Sequence, residues 1–89
     1  MIYITAIHMV GGSGHEHIAE VRWIDPATNQ TKQTSRASMV DFIRKNPGIT
    51  KVTDGRNTVD VGVWDANPPY LRTYADKNWT DNLLSLPRY

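Results

Sequence analysis

Residues 49–65 read ITKVTDGRNTVDVGVWD. Two β-branched runs, Ile49–Thr53 and Thr58–Asp65, flank the turn-forming Asp54-Gly55-Arg56-Asn57. Successive side chains of a strand point to opposite faces, so Val59, Val61 and Val63 share one face. A connection of two or four residues brings Val52 onto that face, whereas three residues would turn it away. Only the even connection buries all four valines, so the stretch predicts an antiparallel hairpin with one apolar face.

Working outward, Ile2–Met9 is rich in β-branched residues, with Ile2, Ile4 and Ala6 on one face of a predicted strand. Gly11-Gly12-Ser13-Gly14 interrupts the chain. His17–Ile24 predicts a second strand, with His17, Ala19, Val21 and Trp23 on one face and the wetter Ile18, Glu20, Arg22 and Ile24 on the other. Asp25–Asn29 is a turn cluster, and the polar Gln30–Thr34 fits a ragged strand or a loop. Ser35 is a predicted N-cap for a helix over Arg36–Lys45, with Met39, Val40, Phe42 and Ile43 as its apolar stripe. Asn46-Pro47-Gly48 ends the helix. Ala66-Asn67-Pro68-Pro69 breaks the next run. Two readings hold for Tyr70–Tyr89. One is a hairpin of Tyr70–Ala75 against Trp79–Leu84, with Leu71 on the side of Leu83 and Arg72 opposite Asn82. The other is a short helical turn capped by Thr80 and ending before Pro87. The order predicts an α+β fold: one domain over 1–89, built as a small antiparallel sheet of four to five strands with one helix packed on one face.

Composition narrows the function. The chain has 89 residues, of which 39% are hydrophobic, and ten basic against nine acidic side chains leave a net charge of +1. That is a globular composition without the charge excess that nucleic acid or an anionic membrane requires. So short a chain has little room to enclose a large active site. Cysteine is absent, which removes disulfides, thiolate zinc sites and thiol nucleophiles and favours a reducing, cytoplasmic setting. Met1–Val10 lacks a basic leader and is too short to span a bilayer.

Two stretches are candidate binding surfaces. In Gly12-Ser13-Gly14-His15-Glu16-His17 the glycines free the backbone, and on a strand His15 and His17 would project from one side as two possible metal ligands. A metal-binding or metal-assisted hydrolytic site there still lacks a third ligand, and Glu16 beside a histidine supplies acid–base chemistry without an activated nucleophile. No cofactor is expected, because the glycine run precedes a strand rather than the helix that phosphate loops use. In the second stretch, Tyr70, Arg72 and Tyr74 share one face of a strand. An arginine between two rings gains about 0.5–2 kcal/mol from cation–π contact. Trp23, Trp64 and Trp79 offer stacking surfaces for a single-stranded nucleic acid. Against that reading, Arg22, Arg36, Arg44, Arg56 and Arg72 form no basic stripe.

Tyr3-Ile4-Thr5-Ala6-Ile7, the loop Gly11–Ile18, Tyr70-Leu71-Arg72-Thr73-Tyr74-Ala75-Asp76 and Asp81-Asn82-Leu83-Leu84-Ser85-Leu86-Pro87 resemble the domain of unknown function 3892 family, small bacterial and phage proteins. The resemblance implies one compact domain and a linked cluster of Arg72, Asp76, Asp81 and Asn82, with Arg72 held by Asp81 or Asp76. It brings no assigned activity. The expected function is therefore a non-enzymatic module that binds a protein partner, as an inhibitor of a host defence complex would, through His15, Glu16, His17, Tyr70, Arg72 and Tyr74. An incompletely covered, valine-rich sheet also leaves a homodimer open.

Overall fold

A computed structural model describes residues 1–53, 55–75 and 77–89. Asp54 of the predicted turn and Asp76 of the predicted cluster lie outside the described residues. The strands are β1 (Ile2–Met9), β2 (Ile18–Asp25), β3 (Gln30–Ser35), β4 (Thr50–Thr53), β5 (Thr58–Trp64), β6 (Tyr70–Ala75) and β7 (Asn78–Thr80). Among the described residues, one helix, α1 (Arg36–Lys45), and two single-turn 3-10 segments, His15–His17 and Asn82–Ser85, accompany the strands. The strands form one seven-stranded sheet in the order β3-β2-β1-β4-β5-β6-β7. The single helix and the sheet match the expected class. The sheet is larger than the expected four to five strands, and it is mixed rather than antiparallel.

Both differences have local causes. β3 is polar throughout and shows no apolar alternation, yet it pairs with β2 over six consecutive residues. Backbone hydrogen bonds hold it, and those leave no trace in side-chain pattern. β4 runs parallel to β1, joined through Ile2↔Thr50 and Tyr3↔Lys51. A parallel pair needs a long crossover, and β2, β3 and α1 together supply it.

The helix forms as its sequence dictates. The Ser35 hydroxyl accepts from the Ser38 amide at 3.3 Å, Arg44 and Lys45 lie in the last turn, and Gly48 takes a positive φ of 78° beyond the end. Met39, Val40 and Ile43 are buried, but Phe42, at the rim of the stripe, keeps 36% of its surface. The valine parity also holds: Val52 sits opposite Val59, so Val52, Val59, Val61 and Val63 share a face.

The β1–β2 pair departs from simple alternation. Ile4 faces Trp23 and Ala6 faces Arg22, so Thr5 is an extra, bulged residue. Beyond it Ile7 faces Val21, which puts Ile4 and Ile7 on one face and moves Ala6 to the other. A second shift pairs Met9 with Ile18 and passes over Ala19. Ile18 therefore joins the face of Val21 and is fully buried, although strict alternation assigned it to the wetter side.

The C-terminal segment combines parts of both expected arrangements. β6 and β7 form a short hairpin with Thr73 opposite Thr80 and Tyr74 opposite Trp79. The strand ends at Thr80, so Leu83 lies on the following 3-10 turn and not in the sheet as the longer hairpin required. Asp81, not Thr80, precedes that turn, without a side-chain cap bond. The chain then returns to β1. The Ile7 amide donates to the Pro87 carbonyl at 2.9 Å, and the Tyr89 amide donates to the Ile7 carbonyl at 3.1 Å. The Tyr89 hydroxyl donates to Glu20 at 2.9 Å, Arg22 lies 4.3 Å over its ring, and the His8 Nδ1 bonds the Tyr89 carbonyl. Burial and the Glu20 bond raise the Tyr89 phenol to about 12. Among the described residues, no helix is long and apolar enough to cross a membrane.

The core is a single cluster in which Ile2, Ile4, Ile7, Ile18, Val21, Val52, Val61 and Leu71 of the sheet meet Met39, Val40 and Ile43 of α1 and Leu83 of the C-terminal turn. Leu83 is fully buried, so Leu83→Ala should lower unfolding free energy in a urea melt by about 2–5 kcal/mol. Phe42→Ala should cost at most about 1 kcal/mol. Equal costs would contradict this division between core and rim.

Candidate functional site

The register of β5, β6 and β7 assembles the site. Trp64 faces Tyr70, Gly62 faces Arg72, and Asp60 faces Tyr74, which in turn faces Trp79. Directly opposed residues of an antiparallel pair share a face. These side chains therefore line one side of the three strands, while Val61, Leu71 and Thr73 line the other, buried side.

The rings touch in series. Tyr74 and Trp79 meet edge to face at 5.1 Å, Trp79 and Trp64 do so at 5.2 Å, and Trp64 stacks on Tyr70 at 6.3 Å. Such pairs contribute about 0.5–1.5 kcal/mol each beyond area burial. Gly62 makes room for them, since a Cβ there would lie 3.3 Å from the Trp79 ring. Trp79 and Tyr74 nonetheless keep 38% and 37% of their surface exposed. Together with Ile43, Pro47, Asp60 and Gly62 they line an open groove of about 310 Å³. The Asp60 carboxylate at its edge is paired with Lys51.

Arg72 ties the strip to the C-terminal segment. Its Nη2 donates to Asp81 at 3.1 Å, its Nε donates to the Thr80 carbonyl at 3.3 Å, and its guanidinium lies 5.3 Å from the Trp64 ring centre. Beside it, buried Thr73 donates to the Thr80 carbonyl at 3.0 Å and accepts from the Thr80 hydroxyl at 2.7 Å. Asn82 opens the following turn and lines a different cavity of about 280 Å³ with Val52, Thr53, Ser85 and Leu86.

The Gly12–His17 loop divides. His15, Glu16 and His17 form a 3-10 turn, not the start of a strand. Residues two apart on such a turn point in different directions, so the expected alignment of His15 and His17 does not occur. His15 is 8% exposed, stacks on Tyr70 at 6.4 Å, and has its Nε2 3.7 Å from Asp81. That nitrogen is buried without a hydrogen-bond partner. His17 instead donates from Nδ1 to the Val10 carbonyl at 3.1 Å. The exposed Glu16 contributes its carbonyl, which accepts from Arg36 at 2.6 Å. Among the described residues, no group of three or more His, Asp or Glu side chains could hold a metal ion.

The structure thus brings His15, Tyr70, Arg72 and Tyr74 together and turns Glu16 and His17 aside. It adds Asp60, Gly62, Trp64 and Trp79. The first three were accessible from the alternation opposite the valines of β5, but the expected register, with Arg72 opposite Asn82, put Trp79 on the face of Leu71, and the one-residue shift that sets Thr73 opposite Thr80 turns it onto the strip. Trp23 stands apart, its indole donating to Thr34 at 2.8 Å. Arg44 pairs with Asp65, so positive charge is spread and matched instead of gathered into a stripe.

Residues 3–87 match a family model described as "Protein of unknown function (DUF3892)". No curated protein and no solved structure matches the chain.

Arg72→Ala should destabilise the fold by about 1–2 kcal/mol in a urea melt, because a half-buried guanidinium loses two hydrogen bonds. A change of a few tenths would show that the ion pair is solvated and idle. His15 generates a pH dependence. Burial first, then the Arg72 charge, hold its imidazole below the ordinary 6.5, against the opposing pull of Asp81 and Glu16. Unfolding therefore takes up a proton in acid. Its contribution is intact above about pH 6.5 and is lost as pH falls through the lowered value. Urea midpoints should fall less between pH 7 and 5 in His15→Phe than in the wild type. Parallel curves would exclude this role.

Proposed function

The chain belongs to the DUF3892 family, and we propose that it is a binding module that engages a protein partner through the aromatic strip of β5–β7 and the groove beside it. The observation that carries this reading is the exposure of Tyr74 and Trp79 side by side at the groove. Half-exposed Trp and Tyr in a preformed setting are the side chains that dominate binding energy at protein interfaces. Their framework is built before any partner arrives: Gly62 seats Trp79, Trp64 backs it, and Arg72 fixes the strand below. The two charges flanking the strip are matched within the chain, Lys51 with Asp60 and Arg72 with Asp81. The recognition is therefore one of shape and ring contact, not of charge steering. Acting by occupying a surface of its partner, as an inhibitor of another complex does, needs no catalytic group.

The test is capture from a bacterial lysate on immobilised wild-type chain and on the double variant Tyr74→Ala/Trp79→Ala, with circular dichroism verifying that both are folded. The expected result is one protein retained in stoichiometric amount by the wild type and lost from the variant. Retention of nothing, or equal retention by both, would overturn the reading.

A further inference from the structure

We propose that the free edge of β3 joins two copies of this chain, in an antiparallel β3–β3 contact whose two-fold axis passes through Gln33. This inference stands independently of the aromatic strip.

β3 ends the sheet. It pairs with β2 from Gln30↔Asp25 to Ser35↔Glu20 without a register shift, and none of its six residues is buried. It therefore lies regular along an edge while contributing nothing to the core. On its outer side every second residue presents an N–H and a C=O to whatever lies beyond. Proteins usually blunt such an edge with prolines, bulges, charges or brevity. Gln-Thr-Lys-Gln-Thr-Ser has no proline, glycine or bulge, and Lys32 is its single charge. The opposite edge, β7, is three residues long and passes directly into the C-terminal turn.

Parity selects the register, and the complementarity of the strand to itself in that register selects a second copy as the occupant. Directly opposed residues of an antiparallel pair must both aim their backbone groups across the gap or both aim them away. For two identical strands the axis must then run through a residue, not between two. An axis at Thr31 or Thr34 keeps only three residues of β3 facing their counterparts, whereas one at Lys32 or Gln33 keeps five. Centring on Lys32 sets two ammonium groups opposite each other, which is destabilising. Centring on Gln33 sets the Gln33 amides face to face, Lys32 against Thr34 of the second copy, and Thr31 against Ser35 of the second copy. The strand is thus complementary to itself in one long register, and a net charge of +1 gives two copies little reason to repel. Because β3 and β7 are opposite ends of the sheet, the dimer leaves both aromatic strips free.

The chain has no cysteine, so single thiols report the register directly. The native chain should sediment at high micromolar concentration with twice its mass of 10.1 kDa. Gln33→Cys should couple to its counterpart with a short bifunctional thiol reagent at least about tenfold faster than Thr31→Cys, whose two thiols would sit about 13 Å apart along the strands. Gln33→Lys should return the chain to a monomer and leave its circular dichroism unchanged. A native monomer, equal coupling at both positions, or a dimer that survives Gln33→Lys would each overturn the proposal.

Discussion

The fold turns on how one side of β1 is shared. β4 pairs with β1 only at Ile2 and Tyr3, and farther along the Ile7 amide and carbonyl are taken by Pro87 and Tyr89. A strand in the middle of a sheet cannot leave such groups buried and unmet, since each lost partner costs about 1–3 kcal/mol. The return of the C-terminal segment is therefore a requirement of β1, and the Thr5 bulge lies between the two halves of the shared edge. Because that segment starts from β7, at the far end of the sheet, its docking ties the two ends of the chain together. It also carries Leu83 into the core.

The aromatic strip inherits its geometry from that return. Asp81, which holds Arg72, begins the turn that leads back to β1. His15, at the foot of the β1–β2 pair, touches Tyr70 and approaches the same carboxylate. A few side chains thus link the β1–β2 end, the β6–β7 hairpin and the C-terminal turn. No single contact here is strong, but they share partners, so their effects are coupled rather than additive. The result is a braced support under Trp79 and Tyr74, the preorganisation that the proposed binding role calls for.

Much of this was legible in the residues. The helix carries its own cap, stripe and stop signal, and the valines of β4 and β5 admit one parity. The common face of Tyr70, Arg72 and Tyr74 follows from alternation alone. What could not be read has definite causes. β3 is held by its backbone ladder and one bond from the Trp23 indole to Thr34, with no apolar pattern. Each bulge, at Thr5 and at Ala19, shifts the alternation by one residue and so misplaces Ala6 and Ile18. His15 and His17 look like a pair only if they stand on a strand, and the tight turn they form separates them. Trp79 joins the strip through a hairpin register that residue types do not specify.

Amide hydrogen exchange followed by NMR tests the shared edge of β1 most directly. The Tyr89 amide, held by the Ile7 carbonyl, should exchange as slowly as the Ile7 amide, held by the Pro87 carbonyl. Both should respond to denaturant with the slope of global unfolding. Rapid exchange at Tyr89 beside a protected Ile7, independent of denaturant, would show that the C-terminal segment frays from β1 and does not close the sheet.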